Sequence, residues 1–573
     1  MLITPGYHPL NPHFTYGRIS VAEKSAWGST DLLYSYERPF IWCMRDRTCL
    51  YDARIPLNDT YISSRIAMAA VLFGSRPIVL ALLCAVASLA AIVLYRLFFA
   101  PLSKFPGPKI TAVTQLWMMY HEFKGDRTVL VDKLHSRYGP VVRLSPDEVS
   151  FNSYDSLKEI YGIKSTFSKS SFYDLFVYYN TRNTFTSLDK LNHSAKKRLV
   201  ADRYTKSYVM QPSVANKVRE HASAFMKQVT VQGPVLDVYT WLHYYALDAI
   251  TNHLYGIYGT QTLSTPEHRG IVYDLSGVKH RTRLYMLHYF GWMMSLKSQM
   301  TFIMRKLSGH STAFHVRGSR LNDYGENSVS AFRRDQANKD TVSACAKLFR
   351  EIPNNEPAIA AECMDHLVAG VDTTGDAMCI LMWRISTPEY AHVQDTLFAE
   401  LSSIKDAFDP VTRTAPIAML DRLPYLDAVI HEAMRWRPPV PMTLFRIVPP
   451  TGAVIAGHAV SAGTTVGCQS YSLHRVKEVF PNPDLFDPAR WLTEDAAHLA
   501  AMRNYFWPFS SGGRMCLGHN LAMVEMKLIV AAVYMHYTTR LTPGVTEESM
   551  RMDDQLTSGV PYALSCPLEF VAR

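Results

Sequence analysis

Apolar residues recur at three- and four-residue intervals over much of the chain, a spacing that places them on one face of an α-helix. A long helix is predicted at 357–386 and an apolar one at 520–533. Short strands that turn at Gly457 and Gly463 are predicted within 453–469. The expected fold class is therefore mainly α with a small β region. Further helices are predicted at 129–138, 214–229, 236–255 and 341–350.

Residues 77–95 are uncharged and consist mainly of Leu, Ala, Val and Ile. As a helix they would extend about 28 Å, enough for one bilayer crossing. A buried core helix is disfavoured because the stretch has no polar face, and a cleaved signal peptide is disfavoured by the distance from Met1. We therefore predict one transmembrane anchor at 76–96. Basic residues stand on both sides of it, so charge alone leaves its orientation open.

The predicted anchor divides the chain into unequal parts. Residues 1–75 form an N-terminal extension of unknown role, either a luminal segment or the result of an incorrect start codon. Its sequon at Asn58 has meaning only in the secretory lumen. Residues 97–110 form a proline-rich hinge, with a stiff Phe-Pro-Gly-Pro sequence at 105–108. The remainder, 111–573, is the expected catalytic domain.

Composition narrows the class of protein. Hydrophobic residues make up 48% of the chain, which is ample for a large core. The net charge of +9 suits an anionic membrane surface or an acidic protein partner. Because no basic run or nucleic-acid motif is present, no nucleic-acid partner is expected. The nine cysteines show no paired spacing and no C-x-x-C, which argues against a disulfide scaffold or a zinc site.

A loop from Phe509 to Gly518 leads directly into the predicted helix at 520–533. It contains three glycines, at 512, 513 and 518, and one cysteine, at 516. Glycine adopts positive φ without a Cβ penalty and lets another group approach the main chain closely. We therefore expect these glycines to give the loop a sharp turn around its cysteine.

Cys516 could bind haem iron through its thiolate, which requires nearby N–H donors and shelter from water. The helix that follows would favour an anion at its N terminus. Arg514 would meet a carboxylate such as a haem propionate. A lone cysteine is most often a small buried hydrophobe. Packing alone explains this combination of flanking residues poorly.

A polar cluster stands in the middle of the long predicted helix, with the sequence Ala-Gly-Val-Asp-Thr-Thr-Gly at 369–375. Glycine and threonine are poor residues for a helix interior, so a local opening of the helix is expected. Thr373 could hydrogen-bond dioxygen or a water, and Asp372 could pass protons inward from solvent. Taken alone, the cluster could equally cap a broken helix.

Glu432 and Arg435 lie three residues apart on a predicted helix that stops at a Pro-Pro pair, so they share a face. An exposed pair of this kind would stabilise by only a few tenths of a kcal/mol. A second arginine element follows, with the sequence Phe-Asp-Pro-Ala-Arg-Trp at 486–491. It places Arg490 upstream of the cysteine loop.

The cysteine loop has the form F-x-x-G-x-R-x-C-x-G, which resembles the haem-binding signature of the cytochrome P450 family. The A-G-x-D-T-T, E-x-x-R and second arginine elements precede it in the order found in that family. The resemblance covers the chain from about residue 100 onwards. It implies the P450 fold and haem b with an axial thiolate from Cys516, and a further set of cofactor-binding residues: Phe509, Gly512, Arg514, Gly518, His193, Lys197 and Arg446.

Other roles also rest on the resemblance. It implies catalytic roles for Asp372 and Thr373 and a buried network of Glu432, Arg435 and Arg490. The family more often has Arg at the position of Lys197, which leaves the choice between Lys197 and Arg198 open. The residues that would line a lipophilic substrate pocket are Ala369, Thr443, Leu444 and Val560.

The resemblance implies a monooxygenase that inserts one atom of O2 into a lipophilic small molecule. The style of the sequence around the cysteine resembles fungal members that make secondary metabolites such as terpenoids, polyketides or alkaloids. A haem-thiolate isomerase or dehydratase would not need Asp372 and Thr373. A non-catalytic haem sensor would show no substrate-dependent NADPH consumption.

The same resemblance implies the partners and the location of the protein. Electrons from NADPH would come through NADPH-cytochrome P450 reductase, with cytochrome b5 as an optional second donor. The protein would be a single-pass endoplasmic reticulum protein with its catalytic domain in the cytosol.

Overall fold

The computed structural model describes residues 79–275, 282–291, 320–335 and 342–573. The predicted N-terminal extension at 1–75, with its sequon at Asn58, lies outside the described residues. Within them, the helices enclose one large hydrophobic cluster, and four small sheets complete the fold. The predicted fold class, mainly α with a small β region, is confirmed.

The α-helices are joined by loops and short 3₁₀ turns. The helix predicted at 236–255 begins at Val238, because residues 235–237 pair as a strand instead. Beyond the N-terminal apolar helix, the α-helices lie at Lys109–Val113, Leu116–Lys124, Arg127–Tyr138, Tyr154–Tyr161, Lys190–Val200, Lys206–Val209, Pro212–Val231, Val238–Tyr255, Gly270–Leu275, 282–291, Arg320–Arg334, Ala344–Glu351, Glu356–Ser386, Ala391–Ser402, Ile417–Leu420, Pro424–Trp436, Ser470–Leu473, Ala496–Tyr505 and His519–His536.

The largest sheet has five strands and draws on distant parts of the sequence. Its order is Val141–Ser145, Glu148–Phe151, Thr465–Gly467, Arg446–Ile447, Ser168–Lys169. A three-stranded sheet has Pro567–Ala572 between Val235–Asp237 and Tyr537–Leu541. The two remaining sheets are hairpins, Ala453–Ile455 with His458–Val460 and Met552–Gln555 with Ser558–Pro561. Gly457 and Gly463 both have positive φ, as a turn at these positions requires.

The central helix, Glu356–Ser386, has 31 residues and is continuous. The local opening predicted at 369–375 is therefore not observed. Its glycines serve another purpose, because the helix Val238–Tyr255 packs closely against this stretch. A Cβ at Gly370 would lie 2.6 Å from the Ile250 side chain, and one at Gly375 would lie 2.8 Å from the His243 ring. These glycines permit close helix packing rather than a break.

Among the described residues, one helix is long and apolar enough to cross a membrane, Val79–Phe99. None of its apolar window is buried by the protein. It ends in a π-helical turn, Tyr95–Phe99, slightly beyond the predicted boundary at residue 96. This helix is the candidate for the predicted membrane anchor.

The segment that follows this helix is fixed to the largest sheet through Arg143. Its backbone N–H donates to Pro106 O at 2.7 Å, and its guanidinium donates to Arg96 O at 3.1 Å. Arg96 in turn donates to Val113 O at 2.6 Å. Gly107 has positive φ, and a Cβ there would lie 2.6 Å from Arg143 O. These hydrogen bonds hold the proline-rich segment against the largest sheet.

Candidate active site

The cysteine loop turns sharply just before Cys516. A 3₁₀ turn occupies Gly512–Arg514, and Cys516 N–H donates to Phe509 O at 2.8 Å. Gly512 has a φ of 64°, and a Cβ on it would lie 2.1 Å from Tyr161 O. Of the three loop glycines, only Gly512 has positive φ. Gly518 is instead the N-cap of the helix His519–His536.

Two opposing effects act on the ionisation of the Cys516 thiol. Burial raises the pKa of its thiol, while the backbone N–H groups of Gly518 and His519 and the charge of Lys197 act to lower it. Cys516 is nevertheless exposed, so its side chain borders an opening within the domain. A bound metal ion would stabilise the deprotonated form that these donors already favour.

Two basic side chains hold the neighbouring backbone in place. Arg514 donates to Ser187 O at 2.8 Å and to Leu188 O at 2.7 Å. Lys197 donates to Gly513 O at 3.1 Å and to Met515 O at 3.0 Å. Between the alternatives left open by the sequence, Lys197 rather than Arg198 faces the cysteine loop, since Arg198 bonds within its own helix.

Phe509 lies at the other end of the cysteine loop. Its ring packs against His519, with 4.3 Å between the ring centroids.

The structure gathers five basic side chains, with Arg514 among them. Lys169 stands directly opposite Arg446 in the antiparallel pair of strands, an arrangement that like charges normally disfavour. Burial and the charges of Arg514, Lys169, Lys197 and Arg446 lower the pKa of His193 to about 3. Burial and Arg446 lower the pKa of Arg514 to about 10, and burial with Arg446 and Arg514 puts the pKa of Lys169 well below its usual value.

This cation cluster (Lys169, Lys197, Arg446 and Arg514, together with the neutral ring of His193) needs an anion. Buried charges are stable only when they are paired. The two propionates of a haem would provide that compensation, so the residues present fit the implied cofactor. Lys169 was missed by sequence reasoning because a single lysine far from every motif is normally solvated. Its importance becomes visible only through the strand pairing with Arg446.

On the central helix, Thr373 donates its hydroxyl proton to Ala369 O at 2.7 Å. Ala369 is exposed although the flanking turns of this helix are largely buried, so this point of the helix also borders an opening. Asp372 is half-buried, and burial raises the pKa of its carboxyl to about 7. A carboxyl with that pKa can both release and accept a proton near neutral pH.

Glu432 is fully buried and is the centre of a hydrogen-bond network. Its carboxylate accepts from Arg435 Nε at 2.9 Å, Arg435 Nη2 at 2.8 Å and Arg490 Nε at 3.1 Å. The structure therefore brings together the three residues of the predicted network. It adds two donors that the sequence did not indicate, Trp491 Nε1 at 3.0 Å and Asp487 N–H at 2.9 Å.

His474 connects this network to the cysteine loop, a link that sequence reasoning also missed. Its Nε2 accepts from the backbone N–H of Trp507 at 2.8 Å, so Nδ1 carries the proton that is donated to Arg435 O at 3.1 Å. Burial and the Arg435 charge hold the pKa of His474 well below its usual value, so the ring is neutral. A neutral ring is what this donor and acceptor pattern requires.

The predicted pocket residues lie on three separate elements. Val560 belongs to the hairpin strand Ser558–Pro561, which contacts the central helix that carries Ala369. Gly559 N–H donates to Pro439 O at 3.1 Å, which brings this hairpin to the segment that contains Thr443. Thr443 and Val560 are buried, and Leu444 is half-buried.

These elements define a class of protein: a mainly helical domain with a cysteine on a loop that turns at a glycine, a buried Glu-Arg-Arg network and a cation cluster suited to haem propionates. Residues 106–563 match the family model described as Cytochrome P450. The chain therefore belongs to the cytochrome P450 family, and the enzyme class predicted from its motifs, a monooxygenase, is confirmed.

Fungal proteins of this family are similar to the chain over most of its length. Cytochrome P450 monooxygenase tazI of Aspergillus terreus is 29% identical, over 82% of this chain and 93% of that protein. Cytochrome P450 monooxygenase cpaH of Aspergillus oryzae is 29% identical, over 79% of this chain and 86% of that protein. Cytochrome P450 monooxygenase AKT7 of Alternaria alternata is 26% identical, over 79% of this chain and 87% of that protein.

Proposed function

We propose that this protein uses haem b, bound through Cys516, to insert one atom of O2 into a lipophilic small molecule of fungal secondary metabolism. The observation that carries the proposal is the position of Cys516 on a loop that is buttressed by the Glu432 network and lies beside the cation cluster. The naming of the relatives supports the monooxygenase chemistry. It leaves the choice among terpenoid, polyketide and alkaloid substrates open.

The bound haem would supply dioxygen binding and its reductive activation. The cation cluster would hold the propionates, with Lys197 and Arg514 in addition keeping the cysteine loop in place through its backbone. Thr373 would hydrogen-bond a water or dioxygen through its hydroxyl. Asp372 would hold a proton near neutral pH and release it toward Thr373, because burial places the pKa of its carboxyl at about 7.

The proposed substrate is lipophilic because an aromatic cluster lies beside the predicted pocket. The Phe172 ring packs against the rings of Phe445 and Phe176, with centroid distances of 5.1 and 5.7 Å. Tyr173 and Phe185 join the same cluster, with 5.1 Å between their centroids. A pocket bordered by aromatic side chains favours an apolar ligand held by few polar contacts.

Electrons would enter across the surface next to the cysteine loop. Ile163, Leu191 and Met515 are exposed there, with 76, 83 and 44% of their surface accessible. Lys190 and Arg198 are exposed beside them. An apolar centre with a basic rim suits a reductase with an acidic face. We propose NADPH-cytochrome P450 reductase as this donor, with cytochrome b5 as an optional second donor.

For location, we propose a single-pass protein of the endoplasmic reticulum with the catalytic domain, 111–573, in the cytosol. The exposed apolar helix Val79–Phe99 supports an anchor at this place. Residues 97–110 would act as the hinge. The extension at 1–75 would then be luminal, where Asn58 could be glycosylated.

The test is the absorption spectrum of the dithionite-reduced protein with carbon monoxide. A strongly red-shifted Soret band is expected, and Cys516→Ala should abolish it. Cys468→Ala, which changes a buried cysteine outside the loop, should leave it in place. A band typical of imidazole-ligated haem in the parent protein would contradict the proposal.

A second measurement would separate monooxygenation from other haem chemistry. Lipophilic candidates would be incubated with the protein, reductase, NADPH and isotopically labelled O2. Product that carries one labelled oxygen is expected. Product without label would indicate an isomerase or dehydratase, and haem binding with no substrate-dependent NADPH consumption would indicate a sensor.

A further inference from the structure

A histidine is buried against the central helix at the C-terminal end of its polar cluster. His243, on the helix Val238–Tyr255, has 1% of its surface exposed. Its Nδ1 donates to Tyr239 O at 2.7 Å, so Nε2 points the other way and lies 3.5 Å from Asp376 Oδ1. Gly375 leaves room for the ring, because a Cβ there would lie 2.8 Å from its atoms. The His243 ring therefore packs directly against the central helix at Gly375.

Asp376 is an unusual partner for this ring. It is 1% exposed, and neither of its carboxylate oxygens has a hydrogen-bond partner among the described residues. Buried carboxylates require donors, and 3.5 Å is longer than a good hydrogen bond.

Asp372 stands one helical turn before Asp376, so both carboxyls face the same side of the central helix. The charges of His243 and Asp376 both act on Asp372, the first lowering the pKa of its carboxyl and the second raising it. Burial lowers the pKa of His243, but Asp376 and Asp372 more than offset this and leave it raised. The charges of the three side chains therefore act on one another as a coupled group.

Other ionisable groups surround these three. Arg437 enters from the loop after the helix Pro424–Trp436, and its charge interacts with that of Asp376. It donates to Val560 O at 3.0 Å. The pKa of the Tyr178 hydroxyl is raised by burial and by the charges of Asp365 and Asp372. Neither Arg437 nor Tyr178 changes charge near neutral pH, because the Arg437 pKa is about 10 and that of Tyr178 is raised above its usual value.

We propose that His243 is a positioning residue which, paired with Asp376, sets the protonation of Asp372 and so the supply of protons to Thr373. A cation at His243 favours the ionised form of Asp372, and a carboxylate at Asp376 favours the protonated form. The balance keeps Asp372 able to give up and regain its proton near neutral pH. This inference rests on the role proposed above for Asp372.

The first experiment follows Asp372 directly in the resting holoprotein by infrared difference spectroscopy over a pH series. The band of its protonated carboxyl is identified by its loss in Asp372→Asn. The parent band should titrate with a midpoint near 7. His243→Gln removes the cation but keeps a polar side chain of similar reach, and should move the midpoint up by about one pH unit or more.

A matched control lies on the same helix. Burial lowers the pKa of His253 to about 3, so this ring is neutral and His253→Gln changes no charge. It should leave the Asp372 midpoint where it is. Asp376→Asn removes the like charge and should shift the midpoint downward. Opposite shifts in His243→Gln and Asp376→Asn support the proposal. If His243→Gln or Asp376→Asn retains haem and its Asp372 midpoint equals that of the parent, the proposal is wrong.

A second readout distinguishes this inference from the proposed function. With reductase, NADPH and a substrate identified by the screen above, the peroxide released per NADPH would be measured against pH. In His243→Gln its profile should move with the infrared midpoint. If the midpoint moves and the peroxide profile does not, the coupled group stands and the proton role of Asp372 fails.

Discussion

The Glu432 network allows the most exact test of how the fold supports the cysteine loop. Glu432→Gln keeps the shape of the side chain but removes its charge. The buried guanidiniums of Arg435 and Arg490 then face no carboxylate at 2.8 to 3.1 Å. The new amide NH2 would also be directed at groups that are themselves donors, including Trp491 Nε1.

Removing one partner of a buried ion pair costs about 3 to 5 kcal/mol. At about 1.4 kcal/mol per factor of ten, the ratio of folded to unfolded protein should fall roughly 150- to 4,000-fold. The change should appear in urea unfolding followed by far-UV circular dichroism, as a lower midpoint. The haem absorption should be lost at a still lower urea concentration, because His474 and Trp507 carry the disturbance to the cysteine loop.

Glu400→Gln is the matched control. Glu400 accepts from the backbone N–H groups of Tyr425 and Leu426 at 2.7 and 2.8 Å, at the start of the helix that carries Glu432. It is half-buried and pairs with no cation in the described part of the chain. Its loss should cost about 1 kcal/mol. Equal midpoints for Glu432→Gln and Glu400→Gln would refute the argument from buried charge.

Three further predictions concern the site itself. Gly512→Ala should destabilise the protein and release haem, because the new Cβ would lie 2.1 Å from Tyr161 O. The control Gly513→Ala places its Cβ within 4 Å of no other atom and should retain haem. The haem absorbance of the purified variants measures the difference. Burial raises the pKa of Asp372 from 3.8 to about 7 in the folded protein. As the pH rises, Asp372 therefore ionises in the unfolded chain before it does in the folded one, and the stability of the parent protein falls between these two pKa values. Asp372→Asn should gain stability over the parent between pH 4 and about 7 in urea unfolding, and a constant difference would contradict the burial argument. Thr373→Ala should divert NADPH into peroxide while Thr373→Ser should not, as a peroxide assay with reductase and substrate would show; unchanged coupling in both would remove the hydroxyl from proton delivery.

Sequence reasoning worked best where spacing along one helix carries the information. Glu432 and Arg435 are three residues apart, so their pairing could be predicted from helix geometry alone. It worked less well where one residue type can have two structural roles. Gly370 and Gly375 suggested a broken helix, but they make room for side chains of a helix more than a hundred residues earlier. Nothing in a local pattern distinguishes these two uses of glycine.

The residues that were missed share a different cause. Lys169 acquires its meaning from Arg446 across a strand pair, and His474 from Trp507 and Arg435. Each contact joins positions that lie 30 or more residues apart. A single lysine or histidine between motifs is usually solvated or part of the core, so no pattern singles it out. Such residues become visible only when the chain is folded.

The strands of the five-stranded sheet are synthesised at widely separated times. Its hairpin, Val141–Ser145 with Glu148–Phe151, can form early, but the strand that pairs with it is Thr465–Gly467. At a translation rate of about 5 to 20 residues per second, more than 300 residues separate the two by roughly 15 to 60 s. During that interval the edge of Glu148–Phe151 is open to wrong partners. The nascent chain therefore needs this edge to be protected until Thr465–Gly467 has emerged and can pair with it.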